Sequence, residues 1–251
     1  KDRLLSPMRQ QYGQQLECHW SKAYDEIRNA LTTTVREQGF GSLAVLISPM
    51  LPCEEAYLLG RFITSLDPHA TLGIGPVPVD GQDKTFPGGY TIYAEKCPNQ
   101  RGVRRALEMV GDLVLDYDQF LARLSVQSTP VAATLLTGNY PSSWVNKDLV
   151  STLRKKFVVL IDTLPNDLTA KADVFLPGAT WAEKAGTFEN ANNRLQSFSQ
   201  AIGVVEQAKT EGQIALDLHA ACGLAELSIY DAPQIRRVMG SVLVTAVYHA
   251  P

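Results

Sequence analysis

Short, wholly apolar runs alternate along the chain with longer segments in which apolar residues recur every three or four positions. Ser42–Ser48 has Leu-Ala-Val-Leu-Ile at its heart. Val131–Thr137 and Phe157–Ile161 repeat that character, and Ala172–Leu176 follows until Pro177-Gly178 stops it. Such runs, apolar without alternation, predict strands buried on both faces, as in a parallel sheet. Between them, Tyr24, Ile27, Leu31 and Val35 share one helical face, with Ser21 as N-cap and Gly39 and Gly41 as the stop. Glu54-Glu55-Ala56-Tyr57-Leu58-Leu59 opens a second helix with acids at its positive end. Further helices are predicted from Arg101-Gly102-Val103 through Met109, around Tyr117, Phe120, Leu121 and Leu124, and from an Asn146 cap to Lys155-Lys156. Ile214, Leu218 and Cys222 mark another, and Asp231-Ala232-Pro233 starts a last one carrying Ile235, Val238 and Met239. Arg3 to Trp20 reads as extended. The β-then-α alternation predicts an α/β fold: a mostly parallel sheet with helices on both faces.

Two stretches break the rhythm. Asp67 to Asn99 is rich in Pro and Gly, and its length suggests a shortened lobe or an interface surface. Gly73-Ile-Gly75 within it lacks the third glycine of a dinucleotide fingerprint. We therefore expect a single domain over 1–251, with sub-lobes of about 1–97 and 98–251 joined by this connector. Val242–Val247 is β-branched and apolar, fit to pair with a sheet edge or a partner chain.

Charge and composition remove several function classes. Of 251 residues 45% are hydrophobic, enough for one sizeable core, and the net charge is −3. No cluster of Lys and Arg points to nucleic acid. No apolar run is long enough to span a membrane, so a cytoplasmic location is expected, peripheral on the inner membrane through partners at most. The first residue is Lys and not Met, which suggests a piece of a longer protein. Cys18, Cys53, Cys97 and Cys222 form no C-x-x-C pair and give no zinc or iron–sulfur spacing. His19, His69, His219 and His249 are scattered, and no P-loop, Gly-x-Ser-x-Gly elbow or His-Glu-x-x-His is present.

The most specific stretch is Ala172–Gln196, ADVFLPGATWAEKAGTFENANNRLQ. Its ordered set of Ala172-Asp173, Leu176-Pro177, Glu183, Gly186-Thr187, Asn190, Arg194 and Gln196 resembles the molybdopterin oxidoreductase superfamily. Within that superfamily the string is most similar to the large iron–sulfur subunit of NADH:quinone oxidoreductase (complex I). Trp20-Ser21-Lys22-Ala23, Glu54-Glu55-Ala56-Tyr57 and Asn99-Gln100-Arg101-Gly102-Val103 are similar too, so the resemblance runs from about Arg3 to Arg237.

The resemblance implies a reduced form of the lobes that bind pterin nucleotides. A turn like Gly138-Asn139 would approach a phosphate or ribose, and an acid at Asp162 would contact guanine; Asn190 would complete the cleft. The lobe that bears the metal ligand in full-length relatives has no counterpart between Asp67 and Arg101, and Cys53 is a weak candidate for the ligand. The first expectation is therefore a scaffold: no catalytic residue, metal or cofactor in this chain, iron–sulfur clusters upstream, and other subunits of a redox complex as partners. The alternative is a shortened oxidoreductase of the formate dehydrogenase or nitrate reductase kind, holding molybdopterin guanine dinucleotide at Gly138, Asn139, Asp162 and Asn190. A third reading is an interaction module using Asp67–Asn99 and Val242–Val247.

Overall fold

A computed structural model describes residues 2–240, so the Val242–Val247 segment lies outside the described residues. In chain order the elements are β1 (Met8–Gln11), β2 (Gln14–Glu17), α1 (Trp20–Gln38), β3 (Leu43–Ile47), α2 (Cys53–Leu66), β4 (Thr71–Ile74), β5 (Lys84–Thr85) and β6 (Thr91–Ile92). There follow α3 (Gln100–Glu108), β7 (Val114–Leu115), α4 (Tyr117–Ser125), β8 (Ala133–Thr137), α5 (Lys147–Thr152) and β9 (Phe157–Asp162). The chain continues through β10 (Val174–Pro177), a single 3-10 turn at Trp181–Glu183, β11 (Gly186–Glu189), β12 (Leu195–Phe198), α6 (Glu211–Ala221) and α7 (Ala232–Gly240).

Eight strands form one sheet in the order β2-β1-β10-β9-β8-β3-β4-β7. From β10 to β7 every neighbouring pair is parallel; the β1–β2 hairpin closes one edge in antiparallel sense. Chain direction across the sheet reverses between β3 and β8: β4 and β7 extend it one way, β9 and β10 the other. That is the doubly wound order, with a topological switch point between β3 and β8.

The central strands are buried along nearly their whole length, which is why they carry no polar alternation. Their alternate residues enter two different cores. Leu43, Val45, Ile47, Leu135, Val159 and Ile161 pack under α1, α2, α3 and α6. Ala44, Leu46, Leu136, Val158 and Leu160 pack against Phe120 and Leu124 of α4 and Leu149 of α5. α1 buries Ala23, Tyr24, Ile27 and Leu31, the face its spacing predicts, and stops at Gly39, whose φ of 82° suits glycine. It begins at Trp20 after His19, so Ser21 lies inside the first turn and does not cap it.

The connector predicted between Asp67 and Asn99 is more structured than its composition suggests. Its first part is β4, a core strand in which Gly73 leaves room for Phe120: a Cβ there would overlap the ring. Its second part, β5–β6, is a small hairpin outside the main sheet, with Val79, Tyr90 and Ile92 exposed. No helix among the described residues is long and apolar enough to cross a membrane.

Candidate functional site

In doubly wound sheets ligands bind beyond the carboxyl ends of the strands, at the switch point. Here that mouth is lined by Ser48 after β3, Thr137-Gly138-Asn139-Tyr140 at the end of β8, and Asp162 at the end of β9. Thr137 Oγ1 accepts from the Ser48 amide at 2.8 Å, tying the two strand ends together. Tyr140 then crosses the mouth from β8 to the far side of β3, and its hydroxyl donates to the Pro76 carbonyl beyond β4 at 2.8 Å. A Cβ on Gly75 would crowd that hydroxyl. Tyr140 is 4% exposed and stacks on Trp144, ring centroids 5.3 Å apart and 20° from parallel. Burial pushes its phenol well above the ordinary range, so it is a neutral donor.

Asp162 stands beside these rings, 3% exposed. Its Oδ1 accepts from the Asn139 and Thr163 amides at 2.8 and 2.7 Å. Its Oδ2 accepts from Trp144 Nε1 at 2.9 Å and Asn166 Nδ2 at 2.8 Å. Two acceptances per oxygen exhaust what a carboxylate offers in ordinary geometry. Burial raises its pKa despite the donors around it. Gly138 is small for a visible reason: a Cβ would collide with the Asp162 carboxylate. Asn139 takes a left-handed φ of 71° and turns its amide inward to the Ala179 carbonyl at 2.7 Å and Glu211 Oε1 at 3.1 Å.

Glu211 leads to a second feature that sequence reasoning missed, a buried charge cluster. Lys184, 1% exposed, donates to Glu55 Oε2 at 2.9 Å and to Glu211 Oε2. Two carboxylates share one ammonium there. Burial, only partly offset by Lys184, raises Glu55 to a pKa of about 8. Glu54 accepts from the Thr187 amide (2.8 Å) and hydroxyl (2.6 Å) and from Arg236 Nε (2.9 Å). The acids of α2, read in the sequence as lying at the positive end of the helix, are fully buried and bind the segment after β10. Nothing in their local sequence distinguishes them from acids that merely face a helix dipole.

The same accounting covers the distinctive stretch Ala172–Gln196. Asp173 is half-buried and accepts from the Val158 amide at 2.7 Å. Glu183 caps its own turn through Thr180 and takes a two-pronged ion pair from Arg3 at 2.7 and 2.6 Å. Burial pushes Glu183 up, but Arg3 and the Thr180 amide prevail and hold it at about 2. Gly186 lets the chain pass Pro52, which a Cβ would strike. Glu189 pairs with Arg105 at 2.8 and 2.6 Å. Asn190 accepts from the Asn192 and Arg194 amides and shapes the β11–β12 turn.

Of the four residues predicted to line a cleft, the structure therefore brings Gly138, Asn139 and Asp162 together. Asn190 instead bonds within its own hairpin, to Asn192, Arg194 and Gln196. Cys53 is 5% exposed at the start of α2, against Asn99, and burial raises its thiol to about 12. It borders a separate cavity of about 420 Å³ between α2, α3 and α7, lined also by Met109, Leu195 and Met239. Among the described residues no three His, Cys, Asp or Glu side chains are grouped to hold a metal ion.

Comparison with known proteins places this arrangement. The profile of the family Molybdopterin oxidoreductase matches residues 99–221, the part that contains β8, β9, the Asp162 hub and the whole distinctive stretch. A nitrate reductase of Symbiobacterium thermophilum is 34% identical over 76 residues, 30% of this chain and 10% of that protein. The alpha subunit of F420-dependent formate dehydrogenase 1 of Methanococcus maripaludis is 36% identical over 70 residues, 28% of this chain and 10% of the relative. The matches thus span about a tenth of these relatives. Among solved structures, acetylene hydratase from Pelobacter acetylenicus superposes with a TM-score of 0.61 at 12% identity, over 89% of this chain and 62% of that one. At that identity the likeness is one of fold.

The family's name implies a molybdopterin cofactor, and the side chains at the mouth test whether one fits. A pterin nucleotide lying over this switch point would need the volume that Tyr140 and Trp144 fill. It would also need an acceptor on Asp162, whose oxygens are taken. The residues present do not accommodate the group in this arrangement.

Proposed function

We propose that this chain is a framework portion of a molybdopterin-family oxidoreductase that holds no pterin or metal of its own, as in a homologue of the large iron–sulfur subunit of NADH:quinone oxidoreductase. The observation that carries this reading is Tyr140, which spans the switch point and bonds to the Pro76 carbonyl. The distinctive residues serve the same end: Glu183, Lys184, Thr187 and Glu189 bind other elements of the chain. In this reading electrons pass through iron–sulfur clusters carried elsewhere, and this part packs against the proteins that bear them.

The names of two curated relatives, a nitrate reductase and a formate dehydrogenase subunit, favour a second reading over the complex I link. The chain would then be part of a pterin-dependent enzyme, with Gly138, Asn139 and Asp162 opening to receive the nucleotide. Elemental analysis for molybdenum and tungsten, with turnover assayed using an artificial electron acceptor, separates the two. The framework reading expects neither metal nor turnover from the purified protein. Stoichiometric metal together with turnover overturns it.

A further inference from the structure

The cavity between α2, α3 and α7 stands apart from the switch point: neither Tyr140, Trp144 nor Asp162 lines it. Its volume of about 420 Å³ lies in the range of small-molecule sites. Much of its wall is apolar, built by Ala106 of α3, Met109 just after it, Leu195 of β12 and Met239 of α7. Methionine is unbranched and polarisable, so a wall with two of them adapts to a flexible chain. Cys53 adds a thiol that burial keeps protonated. The Thr187 hydroxyl in the lining is already bonded to Glu54.

Three arginines belong to the same lining, and two of them are matched. Arg105 makes a two-pronged pair with Glu189, and Arg236 Nε donates to Glu54. Arg237 is exposed and has no ion-pair partner among the described residues. Glu108, the nearest further acid on α3, is exposed and outside the lining. Three guanidinium groups against two carboxylates leave one positive charge beside an apolar wall.

We infer that this cavity binds an amphipathic monoanion, a medium-chain aliphatic carboxylate whose chain lies along Met109, Leu195 and Met239 and whose carboxylate meets Arg237. A compact anion such as phosphate would leave the apolar wall in water, and a neutral oil would leave Arg237 unanswered. The chain carries most of the affinity, since each methylene taken from water is worth about fourfold. An exposed ion pair adds less, about fivefold at most. The inference goes beyond the framework reading and does not depend on it, because the switch-point side chains take no part in the cavity.

Calorimetric titration of the whole chain with hexanoate, octanoate, decanoate, decanol and decyltrimethylammonium tests it. Affinity should climb by about fourfold per methylene from hexanoate to decanoate. Decanol should bind up to about fivefold more weakly than decanoate, and the ammonium compound more weakly still. Arg237→Ala should bring decanoate down to the level of decanol and leave decanol unchanged. Ala106→Leu, which puts bulk into the cavity, should weaken both. A chain ending at Gly240 should bind as the whole chain does. Absence of decanoate binding, no dependence on chain length, equal binding of the ammonium compound, or binding untouched by both substitutions overturns the inference. Binding confined to the shortened chain assigns the cavity to residues 241–251 and overturns it too. Stoichiometric molybdenum in the preparation would instead count against the framework reading and leave this inference standing.

Discussion

At the scale of single residues, Glu54, Glu55, Asp162, Glu183, Lys184, Glu189 and Glu211 place ionisable groups where water does not reach. Glu55 and Glu183 give opposite pH signatures. Glu55 has a folded pKa of about 8 against an ordinary 4.5, so between those values the folded chain holds a proton that the unfolded chain has released. Its contribution to stability is complete below about pH 4.5 and is lost as pH rises through 8. Glu183 lies at about 2, so its contribution is present above pH 4.5 and is lost as pH falls through 2. Urea unfolding from about pH 2 to 9 reads both. Glu55→Gln should flatten the decline between 4.5 and 8, and Arg3→Ala should weaken the dependence on the acid side. An unchanged neutral-to-alkaline slope in Glu55→Gln counts against a shared proton at the cluster. Lys184→Met strands the buried Glu211 carboxylate beside a protonated Glu55 and should cost roughly 3–5 kcal/mol in the same measurement at neutral pH. None of this was legible beforehand. A glutamate at a helix start looks the same in sequence whether it faces solvent or a lysine 129 positions later.

At the scale of elements, periodicity served the regular parts well. The runs at Leu43–Ile47, Ala133–Thr137 and Phe157–Asp162 became adjacent parallel strands, because only a two-faced core makes a strand apolar throughout. β4 was hidden because Thr-Leu-Gly-Ile is short and carries a glycine that strand propensity disfavours. Its reason is packing: Phe120 from α4 occupies the space above Gly73. Gly73→Val should therefore overpack the core by about 1–3 kcal/mol, seen as a lower urea midpoint with an unchanged slope. The β5–β6 hairpin makes the opposite case. It stands outside the main sheet with exposed Val79, Tyr90 and Ile92, so it adds little to the core. Replacing residues 80–94 by a short Gly-Ser link should leave the Tm within a few degrees. A large loss would assign the hairpin a structural role that its exposure does not suggest.

At the scale of the whole molecule, the doubly wound order fixes where a ligand would go, and side chains decide whether it can. The mostly parallel α/β sheet was foreseeable, its strand order was not, and the family profile matches residues 99–221. Gly138, Asn139 and Asp162 were picked out in sequence and do converge, because β8 and β9 are neighbours whose ends lie side by side. What their neighbours do was not legible: that Trp144 turns inward to Asp162 depends on an irregular loop with no periodic signal. The same holds for the Tyr140 hydroxyl and Pro76, 64 positions apart and on opposite sides of β3. The consequence is a doubly wound fold whose switch point is filled from within by Tyr140 and Trp144. Native mass spectrometry of the chain, expressed in a host that synthesises molybdopterin, addresses this most directly. A single species at the mass of the polypeptide alone is the predicted result; a stoichiometric species heavier by a pterin nucleotide would contradict it.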